Sequence, residues 1–201
     1  MIEYIKAQMK TNDLIVNNNV SSDELQRFSN ADLRWAENKK KNVIQKRIVK
    51  KGEIYQIEFG KNYSPELSYE HRGLIIGVRK KLLLVLPIFS YDPIKHPDVF
   101  HPIDFPNSKS DLFLLKQNEF SFIQHDSVIK VGELRTISIN RILYQQNGSI
   151  SITSDTYKLI ESFAFQKAFP TFYYDFEALR EENKKLKERI KELETEQDKN
   201  K

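Results

Sequence analysis

The sequence predicts a small, mainly β domain, a barrel or roll of short strands, with α-helical additions at both ends. Three observations favour this fold class. Short apolar runs with turn signals fill the middle of the chain, a polar helix-prone segment precedes them, and a heptad repeat follows them. The 201 residues are 39% hydrophobic, enough for one ordinary core. We therefore divide the chain into segments 1–48, 49–170 and 171–201.

The first segment, 1–48, is expected to be a helical and basic extension. Ser22-Asp23-Glu24 is typical of a helix start, and Asn30 is placed to cap a second helix that passes through Trp35. Seven lysines and arginines lie between residues 39 and 51. They form either a solvated linker or helix face, or an arm that contacts nucleic-acid phosphates.

The middle segment, 49–170, predicts strands followed by one helix. Tyr55, Ile57 and Phe59 alternate with polar residues, as in a half-buried strand. Runs 74–78 and 82–86 are separated by three basic residues, which predicts two buried strands in a tight hairpin. Ser154 is expected to cap a helix that Pro170 ends. Further strands are expected at 101–105, 111–115, 127–131, 134–139, 142–144 and 149–152, with an Asn147-Gly148 turn before the last.

The last segment, 171–201, contains a heptad repeat. Leu179, Leu186 and Leu193 fall at position d, and an asparagine, Asn183, falls at an a position. This pattern favours a parallel two-stranded coiled coil, and hence a homodimer. Three heptads are marginal alone, so the barrels are expected to contact each other in the same homodimer. Glu182 would face Lys187 of the partner, and Arg189 would face Glu194. The alternative is a lone amphipathic helix folded back on the barrel. The full seam is Phe172, Phe176, Leu179, Asn183, Leu186, Ile190, Leu193 and Gln197.

Composition excludes several classes of function. The chain has no cysteine, which excludes disulfide frameworks, thiolate catalysis and cysteine metal sites. Its four histidines match no metal-binding spacing, so we expect neither a metal nor a cofactor. The longest apolar run, 82–89, is far too short for a membrane span, and the N-terminus lacks the apolar core of a signal peptide. A cytoplasmic protein without membrane association is expected. The net charge of +4 is compatible with a polyanionic partner.

Four segments of the middle region resemble, in order and spacing, the PemK/MazF family of toxin endoribonucleases. Lys51-Gly52-Glu53-Ile54-Tyr55 is similar to that family's opening strand, and the segment 66–72 is similar to its loop with a Glu and then an Arg. Leu86-Pro87-Ile88-Phe89-Ser90 resembles its Pro-hydrophobic-Thr-Ser strand end. The best match is 126–137, which contains Asp-Ser-Val-Ile and Leu-Arg-Thr-Ile.

The resemblance implies a small SH3-like barrel and a homodimeric, metal-independent ribonuclease that acts on single-stranded RNA. In the family the ribose 2′-OH attacks the adjacent phosphorus and leaves a cyclic phosphate. Such chemistry needs a base, an acid and a cation that stabilises the phosphorane charge. Arginine suits the last role because its planar fork binds phosphate oxygens in pairs. The resemblance also implies an antitoxin protein as a partner.

The same resemblance assigns roles to individual residues. Phe89 stands where the family has a catalytic threonine, so Ser90 is expected to supply the hydroxyl. Glu133 stands where relatives often have Gln, and Gly73 where they have Pro. His71 or His125 is a candidate for the general base. The implied catalytic residues are Arg72, Arg135, Ser90 and Glu133, and the implied RNA contacts are Glu66, His71, Thr136 and Ser138.

Other interpretations stay open at this point. Glu133 and Arg135 could form a plain ion pair on one strand face, and Ser90 could be a simple turn residue. The barrel could have lost the cleavage step and work as an RNA-binding or protein-interaction module. A DNA-binding regulator that uses the basic N-terminal arm is a third possibility, although no helix-turn-helix spacing is evident there.

Overall fold

The structure, a computed structural model, describes residues 1–18, 20–41 and 47–199. The chain divides into two compact units. The first comprises residues 1–89 and 135–148, and the second comprises residues 90–134 and 149–201. The elements in chain order are α1 (Ile2–Asn17), α2 (Ser22–Lys41), β1 (Glu53–Glu58), β2 (Glu70–Arg79), β3 (Leu82–Ser90), β4 (Leu112–Leu115), β5 (Ser127–Lys130), β6 (Arg135–Ser138), β7 (Ile142–Ser149), α3 (Asp155–Ala168) and α4 (Pro170–Lys199).

The first unit contains an antiparallel sheet built around the β2–β3 hairpin. The order of its strands is β6, β3, β2, β1, β7. Lys80, at φ 56°, allows the tight turn between β2 and β3, which the basic run predicted. The register pairs Ile54 with Leu74 and Ile75 with Val85. Within the described residues, this order leaves β6 and β7 as unjoined edges, so the sheet is open.

One face of this sheet forms the core of the first unit. Ile57 and Val85 approach β2 so closely that a Cβ built on Gly73 would lie 2.6 Å from a methyl group of each. Any other residue at this crossing would force one of these side chains to shift. The fully or nearly buried members of this core are Val49, Tyr55, Ile57, Phe59, Ile75, Leu83, Val85, Ile137, Ile139 and Ile142.

The second unit combines the β4–β5 hairpin with α3 and α4. Leu112 to Leu115 pair antiparallel with Lys130 to Ser127. Phe100 bridges to Phe113, and its ring lies 4.6 Å from that of Phe163 on α3. Ser154 accepts a hydrogen bond from the Tyr157 amide at 3.2 Å, which confirms it as the N-cap of α3. Tyr157, Ile160 and Ala164 are the buried residues of that helix.

The structure corrects several expectations about the elements. Asn30 starts no second helix, because α2 continues through it. His101 and Phe105 form only an isolated bridge across a turn, so there is no strand at 101–105. Asn147-Gly148 makes no hairpin: β7 runs through both residues and ends at Ser149, with Gly148 at φ 140°, and no separate strand follows at 150–152. Pro170 follows the end of α3, as expected, but it also begins α4.

The described part of the chain is mixed α/β rather than mainly β, because the four helices found there contain more residues than the seven strands. Helices α1 and α2 occupy most of 1–41, as the helical extension predicted. Part of the basic stretch, residues 42–46, lies outside the described residues. No helix in the described ranges combines the length and apolar character that crossing a bilayer requires.

We expect Gly73→Ala to lower the free energy of unfolding by about 1–3 kcal/mol, the usual cost of overpacking a tight core. The new methyl group would collide with Ile57 and Val85. Val78→Thr is the control, because Val78 is an exposed residue of the same strand. Urea unfolding of both variants measures the effect, and equal stability of Gly73→Ala and the native chain would contradict this packing.

Candidate active site

Ser90 and His125 form a hydrogen-bonded pair in the second unit. Ser90 is the last residue of β3, and His125 lies just before β5. The Ser90 Oγ lies 2.7 Å from the His125 Nε2, and both residues are exposed to solvent. When Nε2 carries no proton it accepts a hydrogen bond from the hydroxyl, which is the arrangement of a hydroxyl group and a general base.

Backbone hydrogen bonds fix the segment that carries this histidine. The Tyr91 amide donates to the Asp126 carbonyl oxygen at 2.9 Å, which ties the residues that follow the two partners. The Asp126 carboxylate accepts from the Gln117 amide at 2.8 Å, and Ser127 Oγ donates to the His125 carbonyl at 3.1 Å. The backbone on either side of the pair is therefore held by one main-chain and two side-chain to main-chain hydrogen bonds, although the side chains of the pair are exposed.

Lys116 supplies a positive charge in the same unit. Its Nζ lies 2.9 Å from the Asp104 Oδ2. The hydrogen bond to Asp104 raises the pKa of Lys116, and the charges of Asp104, Glu119 and Asp126 raise it further. Lys116 is therefore a cation that interacts electrostatically with Asp126, the residue that follows His125. Sequence reasoning missed Lys116, because only the fold brings it there.

Glu133 is not part of a strand, since β6 begins at Arg135. It follows β5 in a turn, where its amide donates to the Lys130 carbonyl and its carboxylate forms an ion pair with the Lys130 ammonium. Its side chain is largely buried. Glu133 thus forms its ion pair with Lys130 from outside any strand, whereas the alternative considered was a pair with Arg135 on one strand face.

Arg135 binds the loop between β1 and β2 in the first unit. Its Nη1 donates to the Leu67 carbonyl at 3.2 Å, its Nη2 lies 3.6 Å from a Glu66 carboxylate oxygen, and its guanidinium lies 5.8 Å from the centre of the Phe59 ring. Arg135 and Glu66 are therefore brought together. The Arg135 side chain is 18% exposed, whereas Glu66 is 55% exposed, so the carboxylate is the outer and looser partner.

Arg72 projects from the opposite face of the same sheet. Arg135 is paired with Val85, which is paired with Ile75, so these three residues share a face. Arg72 is three residues from Ile75 along β2 and therefore points to the other side. Burial lowers the pKa of Arg72, which nevertheless stays charged at neutral pH. The two arginines are not brought together within one chain.

The remaining predicted residues lie on β2 and β6. His71 is paired with Ile57. Burial, and then the nearby Arg27 guanidinium, lowers the pKa of His71. Thr136 is exposed and lies opposite Leu84. Ser138 accepts a hydrogen bond from the Asn140 amide at 3.2 Å and so caps the short helical turn that leads into β7.

A cavity of about 850 Å³ lies between the N-terminal helices and the sheet of the first unit. Arg34 of α2 lies 2.8 Å from Glu58 and 2.9 Å from Glu70, which face each other across β1 and β2. Burial lowers the pKa of Arg34, but the two carboxylates outweigh it and raise the pKa overall. Neither Arg72 nor Arg135 is among the lining residues described for this cavity. Within the described residues, no group of three acidic or histidine side chains could hold a metal ion.

His71 is expected to make the protein less stable as the pH falls from 7.5 to 5.5. The pKa of His71 in the folded chain is below its value of about 6.5 in the unfolded chain. At a pH between these two values, the unfolded chain binds a proton at His71 and the folded chain does not. The contribution of His71 to the free energy of unfolding is fully present above about pH 6.5 and is lost as the pH falls towards the pKa of His71 in the folded chain. His71→Gln should flatten this slope in urea unfolding. Gln124→Ala, which removes no titratable group at an exposed position, should keep it, and an unchanged slope in His71→Gln would contradict the buried neutral state.

A scan against protein-family models finds no match for this chain, and a search of curated proteins finds none either. The candidate site therefore depends on its geometry and on the residue patterns of the sequence. Two of those patterns supply the hydrogen-bonded pair: one contains Ser90, and the other begins at Asp126, the residue after His125.

Proposed function

We propose that this protein is a metal-independent endoribonuclease of the PemK/MazF toxin type that cleaves single-stranded RNA. The observation that carries the proposal is the 2.7 Å contact between Ser90 Oγ and His125 Nε2. The resemblance requires a hydroxyl at the end of this strand and leaves the base unassigned. A histidine within hydrogen-bond distance of that hydroxyl supports both assignments.

The chemistry follows from the two side chains. Neutral His125 takes the proton of the ribose 2′-OH, and the 2′ oxygen attacks the adjacent phosphorus. The bond from phosphorus to the 5′ oxygen breaks, which leaves a 2′,3′-cyclic phosphate and a 5′-OH. Ser90 donates a hydrogen bond to a phosphoryl oxygen, and Lys116 offsets the negative charge. Because the pair is exposed, water can protonate the departing 5′ oxygen.

Arg135 is the proposed phosphate contact of the first unit. Its outer partner, the Glu66 carboxylate, is exposed and 3.6 Å away. An RNA phosphate offers the same kind of charged oxygen and can replace that carboxylate on the guanidinium fork. Arg72 points away from the face of Arg135, so we assign the two arginines to different contacts.

The finer parts of the sequence interpretation belong to the same proposal. The sheet of the first unit is open in its strand order, and we propose that it is a variant of the SH3-like barrel of this family. A cytoplasmic location and a small antitoxin partner follow from the same resemblance. The alternative is a module of the same fold that binds RNA or protein without cleavage.

We expect cleavage of a long single-stranded RNA by the purified chain in the presence of EDTA, with products ending in a 2′,3′-cyclic phosphate. His125→Ala should lower kcat by about 100-fold or more, the usual contribution of a general base, and Ser90→Ala should lower it less. Gln124→Ala, at the exposed residue next to His125, is the control. RNA that is bound but never cut would favour the non-catalytic alternative.

Arg135→Ala is expected to lower kcat/KM for RNA by about 100-fold, the scale of losing one main charge contact. Arg79→Ala is the matched control, because Arg79 is an exposed arginine at the end of β2. Arg135 also binds the Leu67 carbonyl, so a thermal melt of each variant must accompany the kinetics. Equal kcat/KM for Arg135→Ala and the native chain, with both fully folded, would refute this contact.

A further inference from the structure

Helix α4 extends well beyond its contacts with the rest of the second unit. Its first turns contact α3: the Gln166 amide donates to the Tyr174 hydroxyl at 3.2 Å, and the rings of Phe165 and Tyr173 are 6.4 Å apart. From residue 178 to residue 197 every residue is exposed. This part is about 30 Å of helix. A single exposed helix of such length is marginal in water unless an apolar face is covered.

An apolar stripe runs along this part and the turn before it, with one polar residue, Asn183, in the row. Its members lie at the a and d positions of the heptad and each leaves about half of its surface in water. Isolated exposed leucines are ordinary, but five large apolar residues in one row at spacings of three, four and seven are not. The stripe consists of Phe176 (54% exposed), Leu179 (58%), Leu186 (55%), Ile190 (55%) and Leu193 (44%).

Charges flank this stripe in a self-complementary order. In a parallel pair, each g residue meets the e residue five positions later in the other helix. Three such pairs have opposite charges, one in each heptad. Residues five apart lie on different sides of one helix, so a single chain cannot make these contacts. The pairs are Asp175 with Arg180, Glu182 with Lys187, and Arg189 with Glu194.

We propose that the α4 stripe binds the α4 stripe of a second copy of this chain, as a parallel, in-register two-stranded coiled coil. Asn183 determines the alignment. In one chain its amide donates to the Leu179 carbonyl at 3.3 Å. In a parallel in-register pair it faces the other Asn183, and the two amides satisfy each other. An antiparallel pair would place it against a leucine and bury its amide without a partner. The proposal does not depend on RNA cleavage.

The first experiment tests the seam. Sedimentation equilibrium of the full chain at micromolar and higher concentrations should give the mass of a dimer. Leu186→Glu should raise the dissociation constant by about 100-fold, because it removes a buried leucine from both helices. Thr195→Glu adds the same charge on the outer side of the helix and should leave the constant unchanged. A monomeric native chain, or a dimer that Leu186→Glu does not weaken, would overturn the proposal.

The second experiment tests the orientation through the charges. Glu182→Lys alone places lysines opposite each other, and Lys187→Glu alone places glutamates opposite each other. Each variant should associate about tenfold more weakly at low salt. When the two variants are mixed, every contact becomes complementary, so a heterodimer of native affinity should form. A mixture no stronger than its components would rule out parallel g–e contacts.

The third experiment tests the register. The chain contains no cysteine, so Asn183→Cys introduces the only thiol. In a parallel in-register pair, facing a positions are close enough for a disulfide, whose Cα atoms are usually about 4.4–6.8 Å apart. Mild oxidation should therefore give a covalent dimer of Asn183→Cys and little of Lys185→Cys, whose thiol points outward. Equal yields from the two variants would contradict the proposed register.

Discussion

The register of β1, β2 and β3 is the constraint on which the first unit depends. Gly73 is its fixed point, because the side chains of Ile57 and Val85 occupy the space that any Cβ would need. With that crossing set, alternation decides the face of every neighbouring residue. The Arg72 side chain points to one face of the sheet. The Arg135 side chain points to the other face, because Arg135 is paired with Val85. A slip of one residue would exchange core and outer side chains, so the register determines both the packing and the position of each candidate arginine.

Local patterns predicted those elements whose signal is itself local. A strand around Tyr55, the basic turn before Leu82 and the Ser154 cap all appear in the structure, although Glu58 is buried where the alternation predicted an exposed residue. The errors arose where one local signal has two physical uses. Asn-Gly often makes a tight turn, but Gly148 instead uses its conformational freedom inside β7. Proline ends helices, yet it also suits the first position of a new one, where its missing N–H is not needed, and Pro170 begins α4 in this way.

The candidate site could be predicted only in part, since its partners are distant in sequence. The strand-end pattern identified Ser90, and the Asp126 segment passed next to His125. Their contact depends on the fold, which joins residues 35 positions apart. No sequence spacing indicates that Lys116 shares the surroundings of Asp126, or that Arg34 reaches Glu58 and Glu70. Such pairs are selected by tertiary packing, and charged residues are too frequent in this chain for sequence alone to assign them.

The proposed dimer and the proposed RNA cleavage rest on different observations. The proposed coiled coil rests on the exposed apolar residues of α4 and on the charges that flank them. The proposed catalytic pair rests on the distance between Ser90 and His125. Neither argument uses the other. Joined, they have a kinetic consequence for long RNA. Under both proposals, two copies joined at α4 would offer two RNA-binding surfaces to one strand, so the second contact would be intramolecular and would gain from a raised effective concentration. The dimer would therefore act on long RNA at concentrations where a monomer with the same side chains would leave it unbound.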